Sequence, residues 1–292
     1  MQPLIITSND PMAGTTPEDI QANIDAAVEA AEAGAAILHH HLIFKPFVEG
    51  AMRELALEPS VEVIRGIRAR TDAIFQLGMT GATNESRFAV ADAEPVEMMS
   101  ITLSDNDNYM GKFPTIFRDR EDMIRNARYC LERGIAPEWE VFHSGAVWNL
   151  HYMVKTGLAA QPCFVNLMMY WEGSTWSPRS MAEIDHRASM LPEGAVWHLA
   201  VLTRGAKEPI IPAVTPDEHT RLLTYAILRG GHVRTGLEDK HETAPGIAAK
   251  SNAQLIGQIA DISQRLGRPL ATPEQARRIL KLREPAVRRH GH

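Results

Sequence analysis

The 292-residue sequence predicts an α/β fold, a TIM (β/α)8 barrel with an extra C-terminal helix. Short β-rich runs alternate with helical segments eight times, and such alternation implies a parallel sheet surrounded by helices. The eight units fill roughly 250 residues, which is the usual size of a TIM barrel. A doubly wound open sheet is the alternative, but no Gly-x-Gly-x-x-Gly motif follows the first strand.

The predicted elements follow one another without a linker, a low-complexity tract or a shift in composition. We therefore expect residues 1–292 to form a single barrel domain. Strands are predicted at 4–7, 34–41, 73–77, 96–103, 139–142, 163–170, 195–202 and 232–235. Helices are predicted at 17–33, 60–70, 85–93, 118–133, 143–155, 179–190, 215–228 and 251–265, and 272–282 is the extra one. Thr16 before Pro17 is typical of a helix start, and Gly34 of a helix end.

Composition and charge exclude several classes of protein. The chain is 45% hydrophobic and 23% charged, which is enough to bury a large core. The net charge of -6, with acids and bases interspersed, is not the footprint of a nucleic-acid-binding protein. No signal-peptide core and no apolar segment near ~18 residues is present, so we expect no membrane association. The two cysteines, Cys130 and Cys163, lie in unrelated contexts, which fits a reducing compartment and a cytoplasmic protein.

Three consecutive histidines end the second predicted strand. Side chains alternate along a strand, so His39 and His41 share one face and His40 lies on the other. Two imidazoles on one face, at the C-terminal end of a buried strand, form half of a metal site. In a TIM barrel this end carries the functional residues.

An arginine and two acids lie at the end of the last predicted strand. Glu238 would complete a His-His-Glu zinc site and leave one position open for substrate. Asp239 would stay off the metal and act as a general base. Arg234 would either hold an anionic group of the substrate or orient Asp239. The alternative is an arginine–acid ion pair that only closes the barrel mouth, and spacing alone does not separate these interpretations.

Other polar residues lie on the predicted strands or at their ends. Glu138 and Glu140 share one face of the fifth strand, where we expect Glu138 at the solvated start and Glu140 deeper as a functional residue. Thr102 on the fourth strand, and Thr80 and Gly81 after the third, suit binding of a carboxylate or a polarised carbonyl. The remaining histidines near these ends are expected to be structural: His40, His143 and His232.

The stretches that carry these residues resemble the β-keto acid cleavage enzymes. The similar segments are Ala33-Gly34-Ala35-Ala36-Ile37-Leu38-His39-His40-His41, Pro137-Glu138-Trp139-Glu140-Val141-Phe142 and Gly231-His232-Val233-Arg234-Thr235-Gly236-Leu237-Glu238-Asp239. The segments that begin at Ser251 and Ala271 are similar as well. The resemblance covers nearly the whole chain in the right order, and the third segment is specific.

The resemblance implies a zinc-dependent TIM barrel, usually a homotetramer, that condenses a β-keto acid with acetyl-CoA. The products would be acetoacetate and the CoA ester of the remaining acyl part. Position by position, it implies zinc ligands at His39, His41 and Glu238, the base at Asp239, its paired arginine at Arg234, an active-site glutamate at Glu140 and a substrate contact at Thr102.

The chain departs from the family pattern in three places. Leu42-Ile43-Phe44 replaces the usual hydrophobic residue, arginine and acid after His-x-His. Met79-Thr80-Gly81-Ala82 lacks a serine and the last glycine. The first strand ends at Asn9-Asp10 in a shortened loop, where relatives read the distal group of the substrate, so Asp10 could bind a cationic group there. With metal and base positions intact, the departures indicate a changed substrate.

Two other functions stay open. The first is another zinc-assisted carbon–carbon lyase, such as an aldolase, which would need no CoA. The second is a barrel that binds a small keto acid but has lost turnover, for which the missing arginine and serine are the motivation. Two imidazoles and a carboxylate suit zinc, but they do not exclude manganese or cobalt.

Overall fold

Eight parallel strands close into a barrel in chain order. The structure, a computed structural model, describes residues 1–10, 16–46, 48, 52–78, 82–103, 119–170, 178–203 and 213–283. The strands are β1 (Ile6–Asp10), β2 (Ile37–His40), β3 (Ile74–Leu77), β4 (Met98–Thr102), β5 (Ala136–Val141), β6 (Phe164–Met169), β7 (Val196–Val201) and β8 (His232–Thr235). The closing pair is β1 with β8, in which Thr7 lies opposite Arg234. The TIM-barrel prediction is confirmed.

A helix follows each strand, and one more ends the described chain. These helices are α1 (Pro17–Glu32), α2 (Leu57–Arg68), α3 (Asn84–Ala93), α4 (Arg120–Arg133), α5 (Ser144–Lys155), α6 (Met181–Ser189), α7 (Pro216–Leu228), α8 (Asn252–Arg265) and α9 (Pro273–Leu280). A short hairpin that the sequence did not predict, β9 (Glu242–Ala244) with β10 (Ile247–Ala248), separates β8 from α8. Within the described residues, none of the helices has the length and apolar character needed to span a membrane.

Local sequence explains where many of these helices begin. The Thr16 side chain accepts a hydrogen bond from the Asp19 backbone N–H, and the Asp19 carboxylate accepts one from the Thr16 N–H. This capping box satisfies two backbone donors that a helix start leaves open. Thr272 and Gln275 form the same arrangement at the start of α9. The caps fix where each helix leaves its loop, and thereby how the strands are spaced.

Two strands differ from their predicted bounds in ways that affect the site. β1 was predicted at 4–7, yet it runs through the polar residues to Asp10, because Asn9 and Asp10 pair with His39 and His40 of β2. β5 was predicted to begin at residue 139, yet it begins at Ala136, which pairs with Met98 of β4. Residue 138 is therefore a mid-strand position.

The N-terminal end of the barrel is filled by apolar side chains and closed by α9. Ile5, Ile37, Ile74, Met98 and Phe164 form one buried cluster with Ala276 and Leu280 of α9. The Leu4 N–H donates to the Pro269 carbonyl, and the Ala271 N–H donates to the Leu4 carbonyl. The side chains of this cluster are apolar, so the polar groups of the site lie toward the opposite end.

Candidate active site at the C-terminal end of the barrel

β2 carries His39 and His41 to the C-terminal end of the barrel. Both side chains are buried, and their ring centroids lie 4.9 Å apart in an edge-on arrangement. Gly78, directly after β3, leaves the space for them. A Cβ at Gly78 would lie 2.6 Å from His41 Nδ1 and 2.9 Å from His39 Nε2. The shared face predicted for these two histidines is confirmed.

His39 is held as a neutral imidazole with one nitrogen free. Burial lowers the pKa of His39 well below its usual value, and the nearby Arg234 and His41 lower it further. His39 Nδ1 lies 3.2 Å from Gln76 Oε1, whereas His39 Nε2 has no hydrogen-bond partner. A neutral histidine whose far nitrogen is fixed by a side-chain acceptor is the usual form of a metal ligand.

Glu238 reaches back from the loop after β8 to the second histidine. Glu238 Oε2 lies 3.0 Å from His41 Nε2, but the two atoms do not meet hydrogen-bond geometry. Two ligands of one tetrahedral zinc would lie roughly 3.3 Å apart, given metal–ligand bonds of about 2.0 Å. Burial raises the pKa of Glu238, but His41 and Arg234 outweigh it, so the pKa is lowered and the carboxylate is ionised.

The donor set therefore fits a divalent metal by its chemistry. His39 Nε2, His41 Nε2 and Glu238 Oε2 are buried polar atoms without hydrogen-bond partners, and such atoms are rare unless they bind something. In the described part of the chain, however, no three or more His, Cys, Asp or Glu side chains are grouped so that they could hold a metal ion as they stand. The assignment of zinc to these residues stays a prediction.

Asp239 lies beside this set in a buried hydrogen-bonded pair with Arg234. Arg234 donates from Nη2 to Asp239 Oδ1 over 3.1 Å and from Nε to Oδ2 over 3.2 Å. Asn9 Nδ2 donates to Asp239 Oδ1 over 2.9 Å. Burial raises the pKa of Asp239, against the opposing effect of Arg234. A carboxylate held in place with a raised pKa is suited to accept a proton.

The backbone after β8 is fixed by contacts from three other elements. Gly236 lies so close to β1 that a Cβ would come within 2.1 Å of the Asn9 carbonyl oxygen. The Leu237 N–H donates to Asn252 Oδ1 at the start of α8 over 2.7 Å. The Thr203 N–H donates to the Asp239 carbonyl over 2.8 Å. These contacts fix the turn from which the two acidic side chains extend. Glu238 extends toward His41, and Asp239 extends toward Arg234.

Glu140 and Thr102 face one another across β5 and β4. Thr102 Oγ1 donates to Glu140 Oε2 over 2.7 Å. Burial raises the pKa of Glu140, and the negative charge of Glu138 raises it further. The pair thus offers a hydroxyl and a carboxyl group with a tendency to hold its proton.

Comparison with known proteins identifies the family of this barrel. A family model described as beta-keto acid cleavage enzyme matches residues 7–282. The chain belongs to the β-keto acid cleavage enzyme family. It is accordingly an enzyme of carbon–carbon bond cleavage and acyl transfer, as the residues of the second and last strands indicated.

Curated relatives of this β-keto acid cleavage enzyme are similar over nearly their whole length. The 3-keto-5-aminohexanoate cleavage enzyme of Fusobacterium nucleatum is 29% identical, over 97% of this chain and 100% of the relative. The 3-dehydrocarnitine:acetyl-CoA trimethylamine transferase of Rhizobium meliloti is 27% identical, over 91% of this chain and 89% of the relative. The 3-oxoadipate:acetyl-CoA acetyltransferase of Cupriavidus necator is 26% identical, over 91% and 88%.

Solved structures share the fold at low sequence identity. The apo structure of ObcA superposes with a TM-score of 0.68 at 14% identity, and the match covers 90% of this chain. This chain spans 64% of the ObcA chain. HMG-CoA lyase from Brucella melitensis superposes with a TM-score of 0.57 at 14% identity, over 96% of both chains. These likenesses support the barrel and nothing finer.

The prediction for Glu138 in this β-keto acid cleavage enzyme is wrong. Glu138 was expected at a solvated strand start, but its side chain is 0% exposed in the middle of the barrel. Glu138 Oε1 lies 2.6 Å from His198 Nε2, and Ser100 Oγ donates to Glu138 Oε2 over 2.9 Å. Burial raises the pKa of Glu138, but His198, Arg234 and Ser100 together lower it, so the carboxylate is ionised.

Sequence reasoning missed several polar residues that surround the site. They are Asn9, Gln76, Ser100 and His198, and two of them, Gln76 and His198, are polar side chains inside otherwise apolar strands. Ser100, for example, lies two residues before Thr102, so strand alternation alone places it on the inner face. That signal was available and was not used.

The remaining predicted residues fall into two groups. His40 Nδ1 accepts a hydrogen bond from the Leu42 N–H, and His232 Nδ1 accepts one from the Ile5 N–H, which agrees with structural roles for both. Thr80, Gly81 and the side chain of Asp10 lie outside the described residues. Their proposed contacts with substrate stay predictions.

Proposed function

We propose that this chain is a zinc-dependent enzyme that condenses a β-keto acid with acetyl-CoA, giving acetoacetate and an acyl-CoA. The observation that carries the proposal is the placement of the Arg234–Asp239 pair beside His39, His41 and Glu238 at one end of the barrel. The names of the relatives from R. meliloti and C. necator, both acetyl-CoA transferases of keto acids, support the same reaction class.

Three side chains would hold the metal. His39 and His41 would ligate through Nε2 and Glu238 through Oε2, the three atoms left without hydrogen-bond partners. When bound, zinc supplies Lewis-acid polarisation of the keto oxygen of the substrate. Gln76 would keep the Nδ1 proton of His39 away from the metal side, since its carbonyl oxygen faces that nitrogen.

Asp239 would act as the base. One Oδ atom would take a proton from the carbon between the keto and carboxylate groups, and that carbon would attack the acetyl thioester carbonyl as the C–S bond breaks and CoA thiolate leaves. The thiolate would then add to the original keto carbon. Cleavage of the bond between that carbon and the central carbon would release the acyl-CoA, and the central carbon would take the proton back from Asp239 to give acetoacetate. The two nitrogens that Arg234 directs at Asp239 support an orienting role for this arginine over a role as the main carboxylate binder. The raised pKa of Asp239 brings its proton affinity closer to that of the carbon acid.

Glu140 and Thr102 would serve the opposite side of the site. A protonated Glu140 can donate a hydrogen bond to an oxygen that gains charge during attack, and Thr102 orients it through the 2.7 Å bond. Burial and the negative charge of Glu138 raise the pKa of Glu140, which favours the protonated form more than in an exposed glutamate.

The first test is the metal content of the purified protein, followed by a panel of β-keto acids assayed for acetoacetate with and without acetyl-CoA. We expect about one zinc per chain and acetoacetate only when acetyl-CoA is present. The matched control is Asp239→Asn, which should keep its metal and fold while losing about 10²- to 10⁴-fold in turnover, the usual contribution of a general base.

Other outcomes separate the alternatives. Cleavage of the keto acid without acetyl-CoA would replace the proposal with an aldolase-like lyase. Stabilisation of the protein by keto acids without any product across the panel would favour a barrel that only binds. Full turnover in Asp239→Asn would move the base elsewhere, with Glu140 the next candidate.

A further inference from the structure

Glu138 is an ionised carboxylate in the centre of the barrel, below the residues used above. It is fully buried and faces three polar neighbours: His198 at 2.6 Å, Ser100 at 2.9 Å and His39 Nδ1 at 3.9 Å. A buried charge destabilises a protein unless it is paired, and His198 provides the pair. Of the two carboxylate oxygens of Glu138, His198 contacts Oε1. It does not explain why Oε2 accepts a hydrogen bond from Ser100, whose hydroxyl oxygen also lies next to His39.

The Ser100 hydroxyl has one proton, and it uses this proton in a hydrogen bond to Glu138. Ser100 Oγ donates to Glu138 Oε2 over 2.9 Å, the stronger of its contacts because the acceptor is charged. The same oxygen lies 3.5 Å from His39 Nδ1. With its proton turned to Glu138, Ser100 presents only lone pairs to the imidazole.

His39 Nδ1 thus faces two acceptors and no donor. Gln76 Oε1 lies on one side at 3.2 Å and Ser100 Oγ on the other at 3.5 Å. A neutral imidazole protonates one nitrogen, and the environment of each nitrogen decides which. Two acceptors at Nδ1 place the proton there, which leaves the lone pair on Nε2, the nitrogen without a hydrogen-bond partner.

We propose that Glu138 and Ser100 form a positioning relay that fixes His39 in its Nδ1-protonated tautomer, with Nε2 free to bind a divalent metal. The relay rests on the proposed zinc site, and neither Glu138 nor Ser100 touches substrate or metal. If the Glu138 charge is removed, the Ser100 proton can turn to His39 Nδ1 and favour the other tautomer, which cannot ligate through Nε2.

The direct test is the tautomer of His39 in the metal-free protein, measured by ¹⁵N NMR on histidine-labelled samples. The His39 signal is assigned by its loss in His39→Gln. We expect Nδ1 protonation in the unaltered chain and a shift toward Nε2 protonation in Glu138→Gln, in which the Ser100 proton is free to turn to His39. Ser100→Ala removes that proton and leaves Gln76 as the acceptor at Nδ1, so it should keep Nδ1 protonation. Ser100→Thr keeps the hydroxyl and should keep the original tautomer.

The second measurement is zinc affinity, by competition with a chromophoric chelator. Partners behind a metal ligand contribute about 10- to 100-fold in metal affinity, so we expect a loss of that size in Glu138→Gln. Ser100→Ala, which keeps the ligating tautomer, should lose less. Ser263→Ala is the matched control. Ser263 is also fully buried, but its hydroxyl donates to the Arg268 carbonyl, away from the site, so its removal should leave zinc affinity unchanged.

The results distinguish failure of the relay from failure of the proposed function. Nδ1 protonation and unchanged zinc affinity in Glu138→Gln, with only a lower melting temperature, would overturn the relay and leave Glu138 as a structural partner of His198. If the unaltered chain bound no zinc, the proposed metal function would fail, and the tautomers would still decide the relay. Should Glu138→Gln fail to fold, Glu138→Asp, which keeps the charge but draws it away from Ser100, carries both measurements.

Discussion

The side chains on one face of β2, together with His41 directly after it, extend from the apolar end of the barrel interior to the polar end. Ile37 lies in the apolar cluster that α9 closes, whereas His39, two residues further on, lies among polar groups, and His41 follows at the mouth. All three side chains are essentially inaccessible to water. Equal burial with opposite chemistry indicates that the two ends of the barrel serve different purposes.

The two ends differ in whether their buried atoms are satisfied by the neighbours they have. At the lower end the cluster consists of packed apolar side chains. Burial of apolar surface is the main source of folding free energy. At the upper end buried nitrogen and oxygen atoms lack partners, and each such atom costs about 1–3 kcal/mol. The apolar end stabilises a barrel whose polar end is destabilising until it binds its ligands.

The largest expected effect is the loss of a ligand at the polar end. His41→Ala should remove stoichiometric zinc and lower turnover by at least about 10³-fold, because Lewis-acid stabilisation supplies several kcal/mol of the barrier. Metal analysis and acetoacetate formation measure the two effects. The metal-free variant should lose less stability than a variant of the apolar cluster, because the change removes a polar imidazole, although it also takes from Glu238 a partner at 3.0 Å.

A variant that kept its full metal content would refute the assignment of His41 as a ligand. The same variant also tests the comparison between the two ends. If the metal-free variant lost as much unfolding free energy as we expect for Ile37→Ala, His41 would contribute to the core as Ile37 does, and the two ends would not be separate.

Much of the barrel was predictable because its signals are local. Alternation of strands and helices, capping residues and the parity of His39 and His41 all depend on neighbours in the chain, and the structure reproduces them. Arg234, Glu238 and Asp239 were found because they follow one strand closely. The packing around the strands follows from the same local periodicity.

Glu138 is a residue whose position could not be predicted from its neighbours in the sequence. Pro137 and the two glutamates around Trp139 indicate a solvated strand start, and the basic residues within ten positions, Arg128, Arg133 and His143, lie outside the strand. The partner is His198 of β7, brought to 2.6 Å only when the barrel closes. A carboxylate whose compensation is remote in sequence cannot be assigned to the interior until the topology is known.

The next largest effect is expected at the apolar end of the same strand. Ile37→Ala should lower the free energy of unfolding by about 2–5 kcal/mol, because it removes buried methyl groups and leaves a cavity. Denaturant unfolding measures this loss. Well below the melting temperature, zinc content and turnover should match those of the unaltered chain, since Ile37 touches none of the polar groups.

Loss of metal from folded Ile37→Ala would show that packing at the lower end sets the geometry of His39. The strand would then act as one unit, and the separation of the two ends would be wrong. Ile74→Ala, from the same cluster but on β3, is the matched control for effects transmitted along β2 itself.

The smallest effect is expected at Asn9, where β1 meets the base. Asn9→Ala removes the 2.9 Å hydrogen bond to Asp239 Oδ1 but leaves both bonds from Arg234. A hydrogen bond to a charged group contributes about 1.5–3 kcal/mol, so turnover should fall roughly 10- to 100-fold while zinc content stays complete. Single-turnover kinetics at saturating substrate isolate this change from binding. Because Asn9 holds the base and not the metal, a variant with normal turnover would show that Arg234 alone positions Asp239, and a variant that lost zinc would place Asn9 with the ligands instead.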